Sequence, residues 1–249
     1  MQPEYGQAYR DLYKRHWWWR ARERWILEVL REVLPKRGRL SILDVGCGDG
    51  LLFDRLLEFG DVEGVEPDSS LVSADGPNRA RIHVQPFDDQ FRGVGQYDVV
   101  LMLDVLEHIK DPVAALMRAL SLLTPTGTFI ATVPAFPRLW TNHDVINEHI
   151  TRFDKKSFGD VACAARLRVD TARYFFHWTY PVKRLLHFVE PLMRLTPAPP
   201  RVPAAMLNSV LYTLSRLEQH VLGHVSLPFG SSLLIVGGHA SRRSLQGDG

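Results

Sequence analysis

Three glycines alternate through Asp44-Val45-Gly46-Cys47-Gly48-Asp49-Gly50. Such a run lets the chain turn tightly and bring its backbone against a ligand with no Cβ in the way. It is not the dinucleotide fingerprint, in which one residue more separates the second and third glycines. It is not a phosphate loop either, because no Gly-Lys-Ser/Thr follows. Asp44 beside the loop disfavours a phosphate and suits an ammonium or hydroxyl group. About 20 residues on, Glu66 in Val65-Glu66-Pro67 is placed to accept two hydrogen bonds from a ribose diol. A ligand with a ribose, an amino group and no phosphate fits both carboxylates.

A second cluster could do proton chemistry. His143, Asp144, His149 and Arg152 fall within ten residues. A histidine there could take a hydroxyl proton, with Asp144 orienting an imidazole. The alternative is a polar loop whose His and Arg side chains satisfy backbone carbonyls. A metal is not expected, since the spacing is not a helical i, i+4 ligand pair and no cysteine assists. Glu107 and His108 offer a helix cap or a shell around the first ligand, with a catalytic His108 as the alternative. Upstream, Trp17, Trp18, Trp19 and Trp25 put four of the six tryptophans within nine residues, directly after His16. Neighbours on a helix diverge by about 100°, so the triplet cannot all face the core. Trp25 is expected in the core, and His16, Trp17 or Trp18 at the mouth of a cleft.

Strands and helices must position these groups. Apolar runs at Leu40–Val45, Val62–Glu66, Arg81–Val84, Tyr97–Leu103 and Thr128–Val133 read as strands. Helical spacing covers 8–34, Leu51–Phe59 and Asp111–Leu123, the last with Asp111 as N-cap and Pro112 in its first turn. Thr124-Pro-Thr-Gly127 reads as a turn. This alternation predicts an α/β fold with a parallel sheet covered on both faces. After the connection 134–153 come a helix at Lys155–Arg166, a strand at Arg168–Phe176, two amphipathic helices, and a strand at Ser231–Val236. Pro197–Pro203 separates the amphipathic pair.

The sequence resembles the class I S-adenosylmethionine-dependent methyltransferases. Asp44-x-Gly46-x-Gly48-x-Gly50 matches their first motif, and Glu66 their ribose-binding acid. Tyr97–Leu103 followed by Asp104-Val-Leu-Glu107-His108 matches the fourth-strand motif, and Leu123–Gly127 the turn before the fifth strand. The resemblance covers roughly 40–177 and 231–238. It implies a doubly wound, seven-stranded, mostly parallel Rossmann-like sheet, with S-adenosylmethionine as cofactor and S-adenosylhomocysteine as product. By it Asp44, Gly46, Cys47, Gly48, Gly50, Glu66, Pro67, Leu103 and Asp104 surround the cofactor. Phe87 lies beside the adenine, and Asp88 accepts from its amino group. A bacterial subset, often associated with glycan or lipid-linked assembly, has a similar His-Trp-Trp segment. That subset also has a His-Asp…His…Arg-Tyr pattern, in which Phe153 replaces the tyrosine here. His143, Asp144 and His149 are the candidate catalytic groups, with His16, Trp17, Trp18, Trp140 and Arg152 as substrate or lid residues.

Composition agrees with such a protein. The chain has 249 residues, 45% of them hydrophobic, and two cysteines, too few for a disulfide framework. No apolar run spans a membrane and no signal-peptide stretch opens the chain, so a cytoplasmic protein is expected. The net charge of +2 hides a division: 5 basic against 15 acidic residues over 44–111, 10 against 5 before it and 15 against 8 after it. The expected organisation is a helical cover at 1–39, a cofactor-binding core at 40–177, a helical insertion at 178–230, the last strand at 231–240 and a flexible tail at 241–249. The insertion is open to three readings: a cap, a dimer contact, or peripheral contact with the inner face of a membrane. Its basic and aromatic residues suit an anionic surface, while dispersed charge argues against nucleic acid. O-methylation of a small-molecule, saccharide or lipid-linked acceptor is the leading function. A non-catalytic cofactor-binding partner is the rival, and oligomeric state is not readable.

Overall fold

The computed structural model describes residues 3–35, 38–93, 95–194, 196–223 and 225–240, with residues 3–8 as backbone. The tail expected at 241–249 lies outside the described residues. Seven strands form one sheet: β1 (Leu40–Val45), β2 (Gly60–Glu66), β3 (Ile82–Val84), β4 (Tyr97–Leu103), β5 (Leu123–Pro134), β6 (Leu167–Phe175) and β7 (Ser232–His239). Their order is β3-β2-β1-β4-β5-β7-β6, and β7 runs antiparallel to both neighbours. This is the α/β sheet that the alternation predicted, in the doubly wound, mostly parallel order that the resemblance implied.

The central strands are apolar at successive positions because both faces are covered. On one face α2 (Trp17–Val33) lays Ala21, Trp25, Ile26 and Leu30 against Ile42, Val99, Ile130 and Leu234. On the other, α4 (Pro112–Leu122) and α6 (Lys155–Ala164) bring Leu116, Ala119 and Phe158 against Leu43, Val100, Phe129 and Leu233. Full burial of side chains this size contributes about 1.5–3 kcal/mol each. Asp111 caps α4 by accepting from the Ala114 N–H at 2.9 Å.

Three expectations shift. The helix expected over 8–34 is two helices, α1 (Pro3–Arg15) and α2, because His16 is extended and its Nδ1 accepts from the Trp18 N–H at 3.1 Å. An imidazole thus acts as N-cap and breaks the chain between them. The helix expected over Leu51–Phe59 contracts to α3 (Phe53–Leu56), flanked by tight turns such as Phe59 N–H to Leu56 O. The turn at Thr124–Gly127 bulges out of β5: Leu123 pairs with Tyr97 and Thr128 with Val99, leaving four residues opposite Asp98. Asp98 holds the bulge in place, accepting from the Thr124 hydroxyl and from the Ser41 N–H.

Between β6 and β7 lie α7 (Thr179–Leu192) and α8 (Ala205–Leu222). α8 braces α2. Asn208 accepts from the Trp17 N–H at 2.9 Å and donates to Arg15 O at 2.8 Å, and Arg216 pairs with Glu28. No helix among the described residues is long and apolar enough to cross a membrane.

Candidate active site

β1 pairs with β2 on one side and β4 on the other, so the winding reverses at its carboxyl end, where such sheets place their ligands. Register brings the loop after β1, Glu66 at the end of β2, Asp104 after β4 and Pro134 at the end of β5 to one edge. A cleft of about 490 Å³ opens there.

At one end it is lined by Gly46, Gly48, Glu66, Pro67, Phe87 and Leu103. Gly46, Gly48 and Gly50 all take the left-handed φ, at +70°, +55° and +66°. A Cβ on Gly46 would meet Val105 at 2.6 Å, whereas one on Gly48 would have no neighbour within 4 Å. Gly48 therefore faces the open cleft, where backbone can meet a ligand. Glu66 is locked behind it, accepting from the N–H of Gly48 and of Asp68, each at 2.9 Å. Burial raises its pKa, and those two N–H groups pull the other way. Asp44 is buried one residue behind the lining, its pKa pushed up to about 7 by burial, with Arg22 opposing and Glu66 reinforcing.

The far end is made of side chains. Thr141 opens α5 (Asn142–Ile146) in a capping box with Asp144. Asp144 is fully buried and accepts from the Thr141 N–H at 2.8 Å, from Arg152 through Nε at 2.7 Å and a second guanidinium nitrogen at 2.9 Å, and from His149 Nδ1 at 2.8 Å. Although burial opposes ionisation, His149 and Arg152 hold this carboxyl well below the usual range. The turn through Glu148, at φ +56°, returns the His149 N–H to Asp144 O, and the Ile150 N–H bonds to Glu107 O. His149 is thus fixed with Nδ1 on the carboxylate, leaving Nε2 for the cleft. His143 lines the cleft beside it, its pKa lowered to about 3 by burial and by Lys183. Lys183, contributed by α7, is itself lowered to about 8 by burial and Arg152.

Two further features join the ends. Asp104 takes φ +59°, an uncommon conformation for a non-glycine residue, and pairs with Arg22 of α2 at 2.6 Å. Glu107 is buried in the lining with neither carboxylate oxygen hydrogen-bonded, and burial and the Asp104 charge push its pKa well above the ordinary value. Burial and that neighbouring charge therefore favour its protonated form over the carboxylate. Glu107, His108 and His149 also present ligand atoms within 4.8 Å of one another, a set that could hold a divalent metal.

The cleft gathers most of the residues singled out in the sequence and leaves some outside. Trp18 lines it, with Trp19 and Tyr9. Trp17 instead packs on Trp178 and Phe176, His16 caps α2, and Trp140 lines a separate groove beside α7. Cys47 and Gly50 sit behind the loop, with Cys47 Sγ directed to Gly48 O. Asp88 is exposed and accepts from the Gln90 N–H, while its neighbours Pro86 and Phe87 reach the lining. Arg22 and Lys183 were not singled out as site residues. Arg22 looks like any surface charge on an amphipathic helix, and Lys183 lies 31 residues past Arg152, the end of the cluster it joins.

Known proteins share this architecture. A solved complex of the Haloferax volcanii Trm112 methyltransferase activator with a methyltransferase superposes at a TM-score of 0.59, with 17% identity and 96% of each chain covered. A TehB-like S-adenosylmethionine-dependent methyltransferase from Corynebacterium glutamicum superposes at 0.55, with 17% identity over 95% of this chain and 97% of that one. In sequence, a ubiquinone biosynthesis O-methyltransferase of Azorhizobium caulinodans is 36% identical over 109 residues, 41% of this chain and 43% of the relative. One of Xanthomonas campestris pv. campestris is 33% identical over 125 residues, 45% and 50%. The chain thus spans half or less of the length of these curated relatives. The family model described as a methyltransferase domain matches residues 17–189, more than half of the chain. The chain belongs to that family, among the class I S-adenosylmethionine-dependent methyltransferases.

Proposed function

We propose that the protein transfers the methyl group of S-adenosylmethionine to a hydroxyl oxygen of a small-molecule or lipid-linked acceptor. The carrying observation is one continuous cleft with Gly48 and Glu66 at one end and an Asp144-oriented His149 at the other. The O-methyltransferases among its relatives support oxygen as the methyl acceptor.

The residues present fit the cofactor. Open backbone at Gly48 and the fixed Glu66 carboxylate suit its amino acid and ribose ends. Phe87 suits the adenine face, with Asp88 next in line for the amino group, and Glu66 and Asp104 add carboxyl groups to the lining. When bound, the cofactor supplies an electrophilic methyl on a sulfonium.

The chain then has two tasks. One is to align the acceptor: Tyr9, Trp18 and Trp19 give the cleft an apolar roof, while Lys183 offers a donor to its oxygens. Alignment alone can supply about 7–11 kcal/mol of a transfer barrier. The other is to take the hydroxyl proton. His149 Nε2 accepts it as the oxygen is methylated, and Nδ1–H stays on Asp144, which stabilises the resulting imidazolium. His143 is the weaker base, because burial and Lys183 disfavour its protonated form.

Calorimetry should show S-adenosylmethionine and S-adenosylhomocysteine binding to the purified chain. A panel of phenols, catechols and polyprenyl-linked alcohols should yield an O-methyl product, with turnover insensitive to a chelator. Absence of cofactor binding sinks the reading. Turnover abolished by chelation and restored by a divalent metal would move the chemistry from His149 as base to the Glu107–His108–His149 group.

A further inference from the structure

The insertion leaves an apolar side uncovered. Of seventeen exposed large hydrophobic residues among the described ones, eleven lie on α7 and α8, and Met193 directly follows α7. On α8 they include Met206, Val210, Leu214, Leu217 and Val221, one stripe at helical spacing. On α7 they include Leu185, Phe188 and Leu192. Exposure is greatest at the helix ends bordering the proline-rich connection, 84% at Leu192 and 83% at Met206. The polar sides of both helices face the protein. Asn208 and Gln219 bond to Arg15 and Ala21, and His187 bonds to Trp140 O. These helices are amphipathic in the inverse sense of a globular cover, with water on the apolar side.

Charge selects the occupant. The two acids of this region turn inward: Glu190 accepts from the Asn142 N–H at 2.6 Å, and Glu218 from the His177 and Trp178 N–H groups at 2.9 and 2.7 Å. Arg194 and Arg201, at either end of the connection, are exposed. What remains outward is apolar surface beside positive charge. A two-fold contact with a second copy over this face would bring these arginines toward their own equivalents. An anionic lipid headgroup layer meets both requirements at once.

We propose that the outer face of α7 and α8 docks on an anionic lipid bilayer, the helices lying in the interface plane without spanning it. α7 also supplies Lys183 to the cleft, so the docked helix forms part of the acceptor wall. This last link rests on the proposed transfer reaction; the docking does not.

The test is flotation of the full chain with vesicles of phosphatidylcholine alone or mixed with phosphatidylglycerol. The wild type should float with the mixed vesicles and at least about tenfold less with the neutral ones. Leu192→Glu with Met206→Glu should lower mixed-vesicle binding by at least about tenfold. Its melting temperature should stay unchanged, because both side chains already face water. Arg194→Glu with Arg201→Glu should weaken binding most at low salt. No flotation of the wild type, or equal flotation of the Leu192/Met206 variant, overturns the proposal. So does a dimer by light scattering that the same variant dissociates. Cofactor binding by the unlipidated chain reports separately on the transfer reaction.

Discussion

The two ends of the cleft are built from different material. Near Gly48 the surface is backbone, shaped by three left-handed glycines and fixed by a carboxylate that accepts two main-chain N–H groups. Near His149 the surface is side chains from α2, α5, the following turn and α7, held by one buried aspartate. A backbone site is specified within a few residues of sequence and survives most side-chain changes around it. A side-chain network depends on partners brought together only by the finished fold, and it fails at its hub.

That contrast is sharpest at Asp144. Asp144→Asn leaves Arg152, whose side chain is 0% exposed, without its counter-charge. The expected loss is about 3–5 kcal/mol of stability, read as a fall in melting temperature. Glu66→Gln, which keeps a hydrogen-bonding carbonyl in the backbone site, should cost about 1 kcal/mol. pH adds a check. Asp144 has a depressed pKa in the fold, so its contribution is present above the unfolded value of about 3.9 and is lost as pH falls through the folded one. Acid unfolding below about pH 4 should be shallower in Asp144→Asn than in the wild type. Equal stabilities for Asp144→Asn and Glu66→Gln would dissolve the distinction between hub and backbone site.

The next effects are functional. His149→Gln should lower kcat by about 100-fold or more, and His143→Gln by no more than about threefold, in the same acceptor assay. The reverse order would transfer the base role to His143. At the other end, Glu66→Ala should weaken S-adenosylmethionine by about 30-fold in calorimetry, because it removes both the ribose partner and the brace on the Gly48 and Asp68 N–H groups. The acceptor KM should not move. If it rises in parallel, the two ends are not independent.

The same contrast explains what could be read in advance. The sheet, the glycine loop and Glu66 were legible because period-2 and apolar runs, glycine spacing and strand ends are local signals. At the far end, His143, Asp144 and His149 stood out by density, but which imidazole the aspartate holds was settled by the turn through Glu148. Arg22 and Lys183 carried no local mark, because Arg22 meets Asp104 and Lys183 reaches the cleft only across long sequence separations. His16, expected at the mouth of the cleft, is a helix cap, a role that its extended backbone creates. Glu107 carries no more local signal than a cap or shell residue, and the absence of hydrogen-bond partners for its oxygens is a property of packing alone.

The smallest expected effect lies at the join between loop and core. Asp44 has its pKa raised to about 7 in the free protein, so near neutrality it is about half protonated. Because the folded value exceeds the unfolded one, the fold binds more protons than the unfolded chain between about pH 4 and 7. Its stability contribution therefore falls as pH rises across that window. A cationic sulfonium bound in the neighbouring cleft favours the carboxylate and draws the pKa down. Cofactor binding should then release about half a proton at pH 7, nearly one at about pH 6 and almost none at about pH 8. Calorimetry in buffers of different ionisation enthalpy measures that release directly. Asp44→Asn should abolish Asp44's share of it, whereas His149→Gln at the other end should leave it unchanged. Release that persists in Asp44→Asn would place the titrating group elsewhere, with Glu107 next in line because its pKa is also raised.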